Sequence, residues 1–112
     1  MSDEVPERFR PALRVVLKRI VEGDFDGLVR DGFVPAGGDP GVWVRNYPLR
    51  LVPFPPEAWR HSRAGRIASR PGCWWVVVPL RDQEGTSDLS LEATVCEGDG
   101  QLRVEVDNIH VL

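Results

Sequence analysis

Residues 73–112 constrain this chain more than any other stretch. Cys73-Trp-Trp-Val-Val-Val-Pro-Leu80 is dense in β-branched and aromatic side chains, the types that fit a pleated sheet, so it is read as a strand. Successive side chains of a strand alternate, which puts Trp74, Val76, Val78 and Leu80 on one face and Cys73, Trp75, Val77 and Pro79 on the other. Both faces are apolar. Such a strand is central and covered twice, or covered once with a ligand or partner on its other side. A turn follows over residues 81–87, and then a hairpin of residues 88–96 and 102–112 around Glu97-Gly-Asp-Gly-Gln101. Leu89, Leu91, Ala93, Val95, Leu102, Val104 and Val106 point inward; Ser90, Glu92, Thr94, Arg103, Glu105 and Asp107 point outward. Ile109 and Val111 then fall on odd positions, and a bulge near residues 107–108 accounts for the slip, because one inserted residue exchanges the faces. The register stays open. Glu92 opposite Arg103 would be attractive and Glu92 opposite Glu105 mildly unfavourable.

Upstream, Leu13, Val16, Leu17 and Ile20 carry the spacing of an amphipathic helix over residues 11–21, with Val15 and Val21 broadening its stripe. Pro11 suits its first turn and Gly23 its stop. Asp24 can cap a short second helix with Phe25, Leu28 and Val29, ended by Gly32. Phe33 and Val34 are expected to pack down on the core. Residues 35–41 are a loop by composition, without the glycine spacing of a nucleotide site. Residues 41–51 are read as one or two short strands, using Val42, Val44, Tyr47, Leu49 and Leu51. Pro56 suits the start of a helix through His61, ended by Gly65, after which Ile67 and Ala68 lead into another strand. Pro71-Gly72 is a turn.

A length of 112 residues suits a single domain, residues 1–112. No apolar run is long enough to cross a membrane as a helix, and the first residues lack the basic start and apolar block of a signal peptide. The expected location is the cytoplasm. There the two cysteines, Cys73 and Cys96, are read as inert thiols, although they are able to face each other across strands. The net charge of −3 is unevenly spread: residues 1–70 carry +3 and residues 71–112 carry −6. Six arginines (45, 50, 60, 63, 66 and 70) stand against Glu57 in the middle segment. The halves either complement each other within the fold or present a recognition surface of one sign. Arginines near Tyr47 and Trp59 could bind nucleic acid, but the acidic balance and the absence of a known module argue against that partner.

Helices first and strands last make an α+β fold, with N-terminal helices packed on a mostly antiparallel sheet. The element order resembles the cystatin-like or NTF2-like cone, and Val21-Glu-Gly-Asp-Phe-Asp-Gly-Leu28 is similar to the junction of the first two helices in that superfamily. A closer resemblance lies in Trp75-Val-Val-Val-Pro-Leu80, Glu84-Gly-Thr-Ser-Asp-Leu-Ser-Leu-Glu92 and Val104-Glu-Val-Asp-Asn-Ile-His-Val-Leu112. These segments look like an uncharacterised family of small bacterial proteins with a Trp-rich strand and an Asp-x-Ile/Leu-His-Val-Leu ending. Asn108 stands where that pattern has an acid, and Arg81 where an aromatic is common. The resemblance implies a bacterial cytosolic protein and carries no activity with it.

No spacing of His, Cys, Asp or Glu forms a metal motif, no Ser sits in a nucleophile motif, and no cofactor is implied. His110, after Asp107 and Asn108, is either an acid–base candidate or a histidine satisfied by a neighbouring carboxylate. Ser87 and Asp88 are read as closing the turn before their strand. Two functions remain. One is a non-enzymatic interaction protein, of immunity or accessory type, that meets a basic partner through Glu92, Glu105 and Asp107. The other is an NTF2-like pocket protein that binds or converts a small apolar molecule, with Trp74, Trp75 and His110 lining the cavity. The apolar strand face also admits a homodimer.

Overall fold

A computed structural model describes residues 3–35 and 50–111 of the chain. A 3-10 turn, Glu7–Phe9, leads directly into α1, Arg10–Glu22. Leu13, Val16, Leu17 and Ile20 are buried along one stripe of α1. Val15 lies off that stripe and is 43% exposed, since two residues turn a helix by about 200° from Leu13. Gly23 ends α1 with φ +75°, where its backbone N–H donates to Ile20 at 3.2 Å and a left-handed conformation costs glycine nothing. Asp24 caps α2, Phe25–Arg30, by accepting from the Gly27 N–H at 3.1 Å. Val34 is buried and Phe33 packs against the core.

Four strands form one antiparallel sheet in the order β1-β2-β3-β4: β1 Arg63–Arg66, β2 Cys73–Asp82, β3 Gly85–Gly98 and β4 Gln101–Val111. The helices and the sheet together make the expected α+β fold. One sheet face, carrying Val76, Val78, Leu80, Leu89, Leu91, Ala93, Val95, Val104, Val106 and Ile109, closes over α1 in a single core. Phe9 meets the Trp74 indole edge-on, with centroids 5.6 Å apart, on this side. The N-terminal segment continues the sheet beyond β1, where Asp3 and Ala64 exchange hydrogen bonds of 3.2 and 2.7 Å.

Pro56–His61 is a 3-10 turn that ends at Ser62, not a helix running to Gly65. The Ser62 hydroxyl donates to the Trp59 carbonyl at 2.6 Å and accepts from the Val5 N–H at 3.1 Å, so the turn is closed from within. The strand expected from Ile67 onward lies earlier, at Arg63–Arg66, and Gly65 belongs to it. The reason is packing. A Cβ on Gly65 would lie 2.7 Å from the Trp75 indole, so the ring occupies the space that a side chain would need. The turn expected over residues 81–87 shortens to Gln83-Glu84, because Asp82 pairs with Gly85 and its carboxylate accepts from the Glu84 N–H at 2.8 Å. The β3–β4 turn is Asp99-Gly100, with φ +53° and +74°. Two left-handed residues in a two-residue loop match the twist of the strands they join.

The bulge lies where the alternation breaks. Glu92 faces Asn108 and Ala93 faces Val106, leaving Asp107 as the extra residue. Glu92 therefore meets neither Arg103 nor Glu105; those residues face Cys96 and Thr94. Leu102 follows the inward parity but sits beside the hairpin tip, and it is 38% exposed. The cysteines are not inert thiols: Cys73 and Cys96 are register partners joined in a disulfide. The expected strands at 41–51 fall almost wholly outside the described residues, together with Trp43, Arg45 and Tyr47. At their end Leu51 bridges Asp82.

Candidate functional site

The face of the sheet turned away from α1 is built by register. One row across it reads Gly65, Trp75, Thr94, Glu105. The next reads Arg63, Val77, Glu92, Asn108, and a third reads Pro79, Ser90, His110. In these rows Arg63 is on β1 and the acids are on β3 and β4, while the adjoining row, Cys73, Cys96, Arg103, places a second arginine on β4.

Trp75 is 38% exposed, and its indole rests over Gly65. A glycine neighbour lets the ring lie against the backbone instead of standing into solvent. Asp107, freed from pairing by the bulge, returns to this face by accepting from the Thr94 hydroxyl at 2.8 Å. His110 Nε2 lies 3.3 Å from a Glu92 carboxylate oxygen, with both side chains about one-third exposed. His110 Nδ1 is buried and has no hydrogen-bond partner among the described residues. Glu105 is exposed and makes no such contact among the described residues. The three acids expected to meet a partner, Glu92, Glu105 and Asp107, thus share one face.

The three residues expected to line a pocket do not converge. Trp74 is on the helix side, between the guanidinium groups of Arg8 and Arg66 at 5.6 and 5.0 Å from its ring. Trp75 and His110 share the outer face but pair with Thr94 and Ser90, about 13 Å apart along β3. A recess of about 490 Å³ lies elsewhere, between the first 3-10 turn and the β3–β4 hairpin, lined by Arg8, Glu97, Gly98, Gly100, Gln101 and Leu102. Arg8 grips the Glu97 carboxylate with both arms at 2.9 and 3.0 Å. That hydrogen bond holds the Glu97 carboxyl below its usual range and raises Arg8. Ser87 and Asp88 do not close the turn but lie within β3, where the register shifts between Pro79 and Arg81; there the Ser87 hydroxyl accepts from the Leu89 N–H at 3.1 Å and donates to the Leu89 carbonyl at 3.0 Å.

Among the described residues no cluster of His, Cys, Asp and Glu is placed to hold a metal ion. No described helix is long and apolar enough to cross a membrane. Sequence reasoning missed the Arg8–Glu97 clamp and the Gly65–Trp75 contact. Each joins residues whose sequence separation hides them until the register is known.

No curated protein and no solved structure matches the chain. A family model does match, over residues 17–112, which contain every segment of the Trp-rich strand and the terminal hairpin. The chain therefore belongs to DUF7668, a family described as a domain of unknown function.

Proposed function

We propose that this protein is a non-enzymatic interaction domain, of immunity or accessory type, that binds a basic protein partner in the cytoplasm through the outer face of its sheet. The observation that carries this reading is that exposed Trp75 shares one face with Glu92, Glu105 and Asp107. A tryptophan held against the backbone loses little freedom on binding, and such aromatics dominate the energetics of protein interfaces. Carboxylates beside it attract a basic surface over long range and so raise the association rate. Asp107 and Glu92 are already oriented, by Thr94 and His110.

Capture from extract of the source cell, followed by association kinetics with the purified partner, tests the reading. The partner should carry a basic surface. Trp75→Ala should weaken binding by roughly 2 kcal/mol or more, the range of an interface hot spot. Neutralising Glu92, Glu105 and Asp107 together should slow association and flatten its salt dependence. A partner indifferent to both changes refutes the reading. A concentration-dependent dimer abolished by Trp75→Ala would instead identify a second copy as the occupant.

A further inference from the structure

We propose that the Cys73–Cys96 disulfide is a thiol–disulfide exchange site, opened and closed by a small thiol of the glutathione class while the sheet stays folded. The bond lies on the outer face, one row from Trp75 and Thr94, but the inference does not rest on a partner there. It rests on three features of the bond's surroundings.

First, the two residues differ in exposure: Cys73 is 9% exposed, whereas Cys96 is half-buried, which makes Cys96 the more open side of the bond. Second, Cys96 has a cationic neighbour. The Arg70 guanidinium donates to Cys96 Sγ at 3.8 Å, and Arg103 is the register partner of Cys96 on β4. A cation beside a cysteine favours its thiolate and attracts an anionic thiol. Arg70 is held in place by the turn before β2, where its N–H donates to Ile67 at 3.1 Å and its carbonyl accepts from Cys73 at 3.0 Å. Third, the strands do not depend on the sulfur bridge for their position. Glu97 N–H donates to Gly72 at 2.8 Å and Ile67 N–H to Cys73 at 3.0 Å, on either side of the bridge. From there β2 and β3 stay paired to Asp82 and Gly85, with one shift of register between Pro79 and Arg81.

The exchange runs in two displacements. The first small thiolate forms a bond to Cys96 Sγ as the Cys73–Cys96 bond breaks. Cys73 Sγ leaves with the electron pair and takes up a proton, becoming a buried thiol. A second small thiolate then attacks the sulfur of the attached thiol, and Cys96 leaves as a thiolate beside Arg70. Two small thiols become one small-molecule disulfide and supply the two electrons that reduce the protein.

The test uses the full chain, oxidised, in glutathione buffers of stepped ratio, quenched with acid, alkylated and weighed intact. Oxidised and doubly alkylated forms should interconvert without denaturant, with an unchanged far-UV circular dichroism spectrum. Peptide mapping should place the transient glutathione adduct on Cys96. Arg70→Ala should slow reduction about threefold, because the cation draws the anionic thiolate to Cys96 in the first step and stabilises the departing Cys96 thiolate in the second, and Arg70→Lys should restore most of it. Should Arg70→Ala fail to fold, the wild-type rate should still fall with added salt. A disulfide that never forms, one that opens only in denaturant, loss of the spectrum on reduction, or an adduct on Cys73 overturns the proposal. A rate indifferent to both Arg70→Ala and salt overturns it as well.

Discussion

Removing the disulfide should cost stability mainly through the unfolded chain. Cys73 and Cys96 are separated by 23 residues, and their bridge closes that loop in the unfolded state as well as in the folded one. The loop-closure relation gives an entropy near −11 cal/mol/K for a loop of about this size, or about 3.4 kcal/mol at 25 °C. No cavity term adds to this, because serine nearly fills the volume of each cysteine and the backbone bonds around the bridge do not involve sulfur. Cys73→Ser/Cys96→Ser should therefore unfold in urea with a stability lower by about 3 kcal/mol than the oxidised chain, and with a melting temperature lower by roughly 15–25 °C. Its slope against urea should rise, since the unlinked chain exposes more surface on unfolding. Reduced wild-type protein should coincide with the double variant within about 1 kcal/mol. Equal stability of the oxidised chain and the variant would refute the argument, as would a reduced wild type that unfolds far more easily than the variant.

Gly65→Ala tests the seat of Trp75. Strand propensity alone would make alanine stabilising there, but its Cβ would lie 2.7 Å from the indole, so the expected result in urea denaturation is a loss of about 1–3 kcal/mol that shrinks in a Trp75→Ala background. A gain in stability would show that the ring does not rest on that glycine. Acid should weaken the fold through two carboxylates held low by arginines: Glu97, below its ordinary 4.5 by its hydrogen bond from Arg8, and Asp31, below 3.8 by its hydrogen bond from Arg19. A depressed carboxylate contributes stability that is present above the unfolded value and is lost as pH falls through the folded value. Stability should thus hold level above about pH 5 and decline below these ordinary values, with Glu97→Gln and Asp31→Asn each reducing the slope of a thermal-melting series against pH. Because both pairs are exposed, each step should be small.

Local chemistry and periodicity determined much of this fold in advance. The α1 stripe is set by the spacing of Leu13, Val16, Leu17 and Ile20, and its end by Gly23. The capped second helix follows from Asp24, and the last hairpin from its alternation around Asp99-Gly100. Even the bulge was visible, because a change of face within one strand has few other causes. The candidate face was visible only as a set of outward acids, Glu92, Glu105 and Asp107.

What those acids stand beside was a matter of register, which a period of two cannot specify, since every shift by two residues preserves the pattern. Tertiary pairing put Glu92 opposite Asn108 and within reach of His110 rather than opposite Arg103, and it placed Cys73 against Cys96. It also made Gly65 a strand residue, because the Trp75 ring needed the volume over that backbone. Trp74 and Trp75, adjacent in sequence and equal in composition, were sent to opposite faces by a single residue's step. One is now part of the helix-side packing and the other is the exposed aromatic of the outer face.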